Sequence, residues 1–335
     1  MMKALVLHGI KEPLKLEEVS KPTLNAGEVL VKIKAAAFNR RDYWIQQGKY
    51  AGLKFPITLG SDGCGVIAEV FDDANQHWIG KEVVINPSFN WGDAPNYQGK
   101  DFKILGLPDD GTFAAYVKVP VAQVYEKPKY LNHIEAAAFP LAGLTAYRAL
   151  FTKAQLQKDE KVLLVGIGGG AATFALLWAI HAGAEVYVTS GSDDKIAKAI
   201  ALGAKGGVNY KSPSYDTDLQ ALTADGFDVI IDSAIGEGFA KHLNHVKPGA
   251  RLVFFGATAG DLPPLNARII FWKQLQIMGT TMGTAQEFED MLQFMTKHEI
   301  KPAVESVFAF EDAEQAVRLM DQSEQFGKIV ITFKD

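Results

Sequence analysis

The sequence predicts an α/β protein: a doubly wound parallel sheet joined to a second, β-rich domain. Three observations carry this expectation. Lys161-Val-Leu-Leu-Val165 runs straight into Gly166-Ile-Gly-Gly-Gly-Ala-Ala172, a strand buried on both faces followed by a glycine turn. From 162 to 255, strand-length apolar runs alternate with helix-length segments, as in a parallel sheet with helices on both faces. The first third is instead dense in short strands, Gly and Pro, which suits a compact β domain.

At 335 residues the prior is about two domains. A hydrophobic fraction of 48% and a charged fraction of 22% describe an ordinary soluble globular protein. A net charge of −5 gives no reason to expect nucleic acid or an anionic membrane as partner. No apolar run reaches the roughly 18 residues that a membrane span needs. The opening Met1-Met-Lys-Ala-Leu-Val-Leu7 reads as a strand and not as a signal peptide. The single cysteine, Cys64, excludes an intrachain disulfide and any zinc site with two thiolates. A cytoplasmic enzyme is the default expectation.

Taken in order, strands are expected over 3–7, 14–19, 29–36, 66–71, 81–85 and 112–119, the last with Phe113, Ala115 and Val117 alternating. Residues 86–110 turn to Asn, Gly, Asp, Pro and aromatics and read as a long loop. Asn132 is a fitting N-cap for a helix opening at Leu131-Asn-His-Ile-Glu135, and another helix is expected over 143–151. Strands then follow at 162–165, 186–189, 208–210, 228–232 and 251–255. Helices lie between them at 173–182, 193–202, 215–223 and 238–246. Phe174, Leu177 and Trp178 sit at helical spacing in the first of these. Pro263-Pro264 breaks the series before a strand over 275–280. Thr284-x-x-Glu287 is a capping box for a helix through 297. A strand at 304–310, a helix over 311–321 and a closing strand over 329–333 complete the chain, which returns to the first domain.

Strand, glycine turn and helix form a dinucleotide-binding arrangement. Glycines permit the tight turn, and a helix N-terminus offers N–H groups and a positive dipole end to a pyrophosphate. The plain alternative is a tight connection. The candidate contacts are Gly166, Gly168, Gly169, Gly170, Ala171 and Ala172. Two registers stay open: Gly166-x-Gly168-x-x-Ala171, and Ile167-x-Gly169-x-x-Ala172. An NAD site should carry a carboxylate about 20 residues on. The second strand ends Thr189-Ser190-Gly191-Ser192 instead, with Lys195 nearby. Small hydroxyls and a cation suit a 2′-phosphate, which a carboxylate would repel. Asp193 reads as first-turn helix chemistry. NADPH is therefore the expected cofactor.

Further stretches carry a family resemblance. Glu28-Val-Leu-Val-Lys-Ile-Lys34 followed by Ala37-Phe-Asn-Arg-Arg-Asp42, Leu144-Thr-Ala-Tyr147, Phe227-Asp-Val-Ile-Ile-Asp232, Lys247-Pro-Gly-Ala-Arg-Leu-Val253 and Gly327-Lys-Ile-Val330 resemble the medium-chain dehydrogenase/reductase superfamily. The resemblance spans essentially the whole chain. It implies a Rossmann-type nucleotide domain over 123–264 and a GroES-like β-rich substrate domain over 1–122 and 265–335. Zinc-dependent members hold a metal on a cysteine, a Gly-His-Glu histidine and a second cysteine. Asn39, Ser61 and Leu141 stand at those positions, and 86–110 has none of the cysteines of a structural zinc. The chain thus resembles the zinc-independent, quinone oxidoreductase-like branch, and no metal is expected. That branch implies NADPH, with Ser190, Lys195 and Tyr210 on the 2′-phosphate beside Ser192. Further cofactor contacts are implied at Asp232, Ser233, Phe255, Gly256, Gly327 and Lys328. A homodimer or a dimer of dimers is implied as well.

The expected reaction is hydride transfer to a small-molecule quinone or α,β-unsaturated carbonyl. The alternatives are an alcohol/aldehyde dehydrogenase and a non-catalytic NADPH-binding sensor or structural protein. Asn39, Tyr43 and Thr145 are the catalytic candidates, as donors to the acceptor. Each has a plainer reading, as helix cap, packing residue and buried hydroxyl respectively. Asp42 reads as a first-turn carboxylate more readily than a proton shuttle. Arg40 and Arg41 read as solvated or salt-bridged, the alternative being an anion site. Phe89, Trp91, Tyr97 and Gln98 can line a cleft or wrap the fold. His242 and His245 read as a surface helix, and Cys64 as a small buried residue.

Overall fold

The computed structural model describes residues 1–333. It divides into two compact units, Met1–Leu144 with Gly283–Asp335, and Thr145–Met282. Both boundaries lie later than the sequence suggests, and strand pairing gives the reason. Val124–Glu126 pairs antiparallel with Glu82–Ile85, which keeps it in the first unit. Gln276–Gly279 pairs parallel with Val246–Phe254, which makes it part of the second. The diproline interrupts the chain without ending the sheet.

The first unit is built on a mixed sheet in the order Val124–Glu126, Glu82–Ile85, Asp62–Val70, Glu28–Ala37, Lys328–Thr332, Val304–Ala309, with Tyr116–Pro120 also paired to Glu28–Ala37. Glu28–Ala37 is the hub. Its Val29, Leu30, Val31 and Ile33 are buried, and its last three residues are fully buried alanines. Helix His133–Ala138 packs on this strand and presents Ala136, Ala137 and Ala138, so small residues allow close approach of helix and sheet. Gly65 serves the same closeness within the sheet, since a Cβ there would fall 2.1 Å from the Lys32 carbonyl oxygen. A smaller sheet joins Lys15–Val19, Met2–Leu7 and Ile57–Thr58. The 86–110 segment is not wholly loop: Ser88–Phe89 pairs with Lys103–Ile104, and Phe89 and Trp91 are buried.

The second unit is a six-stranded parallel sheet in the order Gly206–Asn209, Glu185–Ser190, Lys161–Val165, Phe227–Asp232, Val246–Phe254, Gln276–Gly279. The chain leaves Lys161–Val165 in one direction and later resumes on its other side, which makes this strand the switch point of the sheet. Helix Gly170–His181 is apolar on every side and buried from Ala172 to Ala179, as a helix without a polar face must be. Two expectations fail locally. The helix expected over 238–246 shrinks to Phe239–His242, because Val246 already pairs with Phe227. The helix expected over 143–151 runs as Pro140–Tyr147 and continues as a π-helical turn, Arg148–Lys153.

Candidate active site

In the second unit, Val165 ends its strand and Gly166 and Gly168 take φ of +75° and +134°, conformations that favour glycine. Gly169 caps helix Gly170–His181, and the Thr173 N–H is bonded to the Gly169 carbonyl at 3.0 Å. The N–H groups of Gly170, Ala171 and Ala172 thus precede the first intrahelical bond. A Cβ added at Gly166 or Gly169 would meet nothing within 4 Å, so the loop is open on its outer side. Gly166 and Gly168 supply the turn, whereas Ala172 is the buried small residue where the helix packs on the sheet. The turn is one residue longer than a strict G-x-G-x-x-A.

The neighbouring strand Glu185–Ser190 ends beside this loop, with Ile167 N–H bonded to Thr189 O at 2.7 Å. Ser190 is buried, and its Oγ accepts from Ser192 N–H at 3.2 Å. Tyr210 follows Gly206–Asn209 and is tied back through its N–H to Ser190 O at 3.0 Å. Its hydroxyl lies over Gly191, where a Cβ would be 2.7 Å from it. Asp193, the nearest carboxylate, accepts from Asn209 Nδ2 at 2.8 Å. Lys195 stands half-buried in the first turn of helix Asp193–Ala201.

Asp232 ends the strand on the other side. Its Oδ1 accepts from Ala234 N–H at 2.7 Å and Ile235 N–H at 2.9 Å, while Oδ2 is buried without a partner. Burial raises its carboxyl, against the pull of these two N–H groups. Phe255 N–H bonds to Asp232 O at 3.1 Å, and Gly256, at φ +79°, leaves room over Ser233 O. Gly166, Ser190, Asp232, Ser233, Phe255 and Gly256 thus follow the carboxyl ends of adjacent parallel strands, where open α/β sheets bind ligands. An open glycine turn, a helix N-terminus and a carboxyl with an unused oxygen fit a dinucleotide.

The catalytic candidates fare differently. In the first unit Asn39 caps helix Arg40–Gln46, with its N–H on Asp42 Oδ2 at 2.8 Å. Its side chain joins a buried polar cluster. Asn39 Nδ2 donates to Asp62 Oδ2 at 2.9 Å, and Lys328 Nζ donates to Asn39 Oδ1 at 2.6 Å and to Asp62 Oδ2 at 2.9 Å. The other Asp62 oxygen accepts from Leu141 N–H at 2.7 Å. Lys328 is 3% exposed and Asp62 fully buried, so each charge depends on the other. Strand pairing assembles the group: Asp62 lies opposite Ala37, and Lys328–Thr332 runs antiparallel to the same strand end. Burial pushes the adjoining Asp42 carboxyl up to about 6, against Arg41, the Asn39 N–H and Lys328.

Sequence reasoning missed Asp62. A charged residue amid Leu59-Gly-Ser-Asp-Gly-Cys-Gly65 was the available signal, since a buried carboxylate needs a partner. Lys328, expected at the cofactor, has both of its ammonium bonds within this cluster. Tyr43 does not join it. Its hydroxyl donates to Asp321, which raises its pKa. Thr145 belongs to the second unit, where its hydroxyl lies 3.8 Å from Met282 Sδ.

These residues do not fit a zinc ion. Ser61 Oγ is turned to Leu105 O at 2.7 Å beside the Arg41 guanidinium, and position 141 offers only a main-chain N–H. The Asp62 carboxylate is already paired with an ammonium. Among the described residues no group of three or more His, Cys, Asp or Glu is arranged to hold a metal.

Several plain readings also need revision. Arg41 is buried and holds Leu105 O at 3.0 Å, while Arg40 donates to Met320 O at 2.7 Å, so both serve loop and helix ends. His242 is not on a surface helix. It is buried, bonded to Tyr215 Oη at 3.0 Å and pushed down to about 4 by desolvation. Cys64 is fully buried, and burial raises its thiol, as befits an inert packing residue. Among the described residues no helix is long and apolar enough to cross a membrane.

Comparison with known proteins gives two family matches, an alcohol dehydrogenase GroES-like domain over residues 25–129 and a zinc-binding dehydrogenase domain over 158–297. The chain is 37% identical to the zinc-type alcohol dehydrogenase-like protein YogA of Leptosphaeria maculans, over 95% of this chain and 94% of that one. It is 27% identical to an acryloyl-coenzyme A reductase of Sulfurisphaera tokodaii, over 98% and 99% of the two chains. The crystal structure of an NAD-dependent alcohol dehydrogenase superposes with a TM-score of 0.90 at 33% identity, covering 99% of each chain.

Proposed function

The chain belongs to the medium-chain dehydrogenase/reductase family of nicotinamide-dependent oxidoreductases, and we propose that it is a zinc-independent, NADPH-dependent reductase of α,β-unsaturated carbonyls or quinones. The observation that carries this reading is the buried Asn39–Asp62–Lys328 cluster, in which Asn39 stands at a position related to a metal ligand. Alcohol oxidation asks for stabilisation of an alkoxide, the work of a Lewis acid. A conjugated acceptor asks less. Charge that develops on its oxygen is stabilised by fixed hydrogen-bond donors. When bound, the reduced nicotinamide supplies the hydride. Asn39 supplies a donor that does not titrate, because one N–H of its amide remains beyond the bond to Asp62.

NADPH is favoured by the turn at Ser190-Gly191-Ser192, which carries hydroxyls and no carboxylate. Tyr210 folds over this turn, Lys195 stands in the following helix, and Asp193 is engaged by Asn209. Support for an unsaturated acceptor also comes from the relative named acryloyl-coenzyme A reductase. A second reading, NAD-dependent alcohol–aldehyde interconversion, is favoured by the name of the superposed alcohol dehydrogenase.

Oxidation of NADPH and NADH should be followed with an enone, a quinone and an aldehyde, and the zinc content measured in parallel. We expect turnover with NADPH on enone or quinone, unchanged by a chelator. Lys195→Ala should raise KM for NADPH roughly tenfold or more while NADH changes little, as loss of one charge-assisted phosphate contact implies. Stoichiometric zinc whose removal abolishes aldehyde turnover would establish the second reading instead.

A further inference from the structure

We propose that Lys328 is a positioning residue: with Asp62 it fixes the direction in which the Asn39 amide points. The inference rests on the reductase reading above. An asparagine amide has nearly the same shape in either flip, so its neighbours decide which end faces where. Here an ammonium lies 2.6 Å from Oδ1 and a carboxylate oxygen 2.9 Å from Nδ2. Reversing the amide would set N–H groups against the ammonium and a carbonyl against the carboxylate. Two charge-assisted bonds would become two repulsions. One orientation survives, and it leaves the second Nδ2–H as the donor available to an acceptor oxygen.

The clamp is rigid at every point. The Asn39 main chain is held by Asp42, and Asp62 by Leu141 N–H at 2.7 Å. Lys328 opens the strand that pairs antiparallel with the end of Glu28–Ala37, just before Asn39, and its N–H is bonded to Ala303 O at 2.9 Å. At 3% exposure it is no mobile surface cation. The acceptors of its ammonium, Asn39 Oδ1 and Asp62 Oδ2, belong to the first unit. Two of the three ammonium N–H groups are thus spent on the cluster, and through them Lys328 acts on the reaction by way of Asn39.

The test compares Lys328→Met, Asn39→Ala and the double variant, each with kcat on the accepted enone or quinone and with NADPH affinity from fluorescence titration. We expect Lys328→Met to lower kcat roughly tenfold to a hundredfold, the scale of a misplaced donor, with NADPH affinity within about twofold of the unaltered protein. Asn39→Ala should lose a similar factor. The double variant should then be no worse than Asn39→Ala, because a residue acting only through Asn39 has nothing left to do. Lys328→Met leaves a buried carboxylate unpaired and can fail to fold. Lys328→Met with Asp62→Asn removes both charges; it should fold and still show the lowered kcat. Losses that multiply in the Lys328/Asn39 double variant would overturn the proposal. So would full kcat in the neutral pair, or weakened NADPH binding with kcat kept. Absence of turnover by the unaltered protein with either nicotinamide is a different failure, and it overturns the reductase reading together with this one.

Discussion

Asp42 carries the least comfortable charge in the cluster. Its carboxyl is buried, one oxygen has no partner, and its pKa is pushed up to about 6 from an ordinary value near 3.8. A carboxyl raised on folding means that the folded chain holds its proton more tightly. Its effect on stability is therefore least unfavourable at low pH, and it grows as pH rises through the window from about 4 to about 6. At neutral pH the cost approaches about 3 kcal/mol, from roughly two pKa units at 1.36 kcal/mol each. Asp42→Asn keeps an oxygen for the Asn39 N–H and removes the titration. Urea unfolding should find this variant more stable than the unaltered protein at pH 7, with the gap closing towards pH 4. A gap independent of pH would mean that Asp42 does not titrate in that window. Asn39 itself was legible in the sequence as a polar cap ahead of Arg-Arg-Asp. Asp62 was signalled only as a charge amid small and apolar residues, and its partner was not legible, because Lys328 lies 266 residues further along the chain. No local pattern announces a pair closed only by sheet topology.

At the scale of elements, the two kinds of strand were not equally readable. The parallel strands read well because burial on both faces makes them continuous apolar runs, as in Lys161-Val-Leu-Leu-Val165 and Phe227-Asp-Val-Ile-Ile-Asp232. The capping box at Thr284 and Glu287 likewise appears, with Glu287 N–H on Thr284 Oγ1 at 3.0 Å. Phe239–Val246 misled because its apolar spacing suits either state, and the strand won by pairing with Phe227. The closing strand depends on one glycine. Gly327 has φ +109°, and a Cβ there would sit 2.2 Å from Ala303 O. Gly327→Ala should force apart the pairing of Lys328–Thr332 with Val304–Ala309 and shift Lys328 with it. We expect a loss of stability of roughly 1–3 kcal/mol, the usual cost of strain at such a position, together with a fall in kcat. Thermal unfolding and turnover measured on the same variant check this. An alanine variant with unaltered melting temperature would show that the strand end relaxes without consequence.

For the molecule as a whole, class and order of domains could be read because alternation and glycine punctuation are properties of long stretches. The boundaries could not. They depend on whether Val124–Glu126 and Gln276–Gly279 find partners in one sheet or the other, and a short strand does not name its partner. The division into Met1–Leu144 with Gly283–Asp335, and Thr145–Met282, has a consequence for ligand binding. The glycine turn, the Ser190 turn and the ends of the strands at Asp232 and Phe254 all belong to the second unit. A ligand that binds only folded protein stabilises it by about 2.7 kcal/mol at a hundred times its Kd. NADPH should therefore raise the melting temperature more than NADH at equal concentration. Hydrogen exchange should slow around 166–172, 190–195, 210–211, 232–235 and 255–256, the segments at the carboxyl ends of the strands. Segments at the amino ends, such as Asp159–Glu160 and Asp225–Gly226, should exchange as before. If protection fell on those amino-end segments instead, or if the two cofactors shifted melting equally, the phosphate-binding turn would be misassigned even though the fold around it is not.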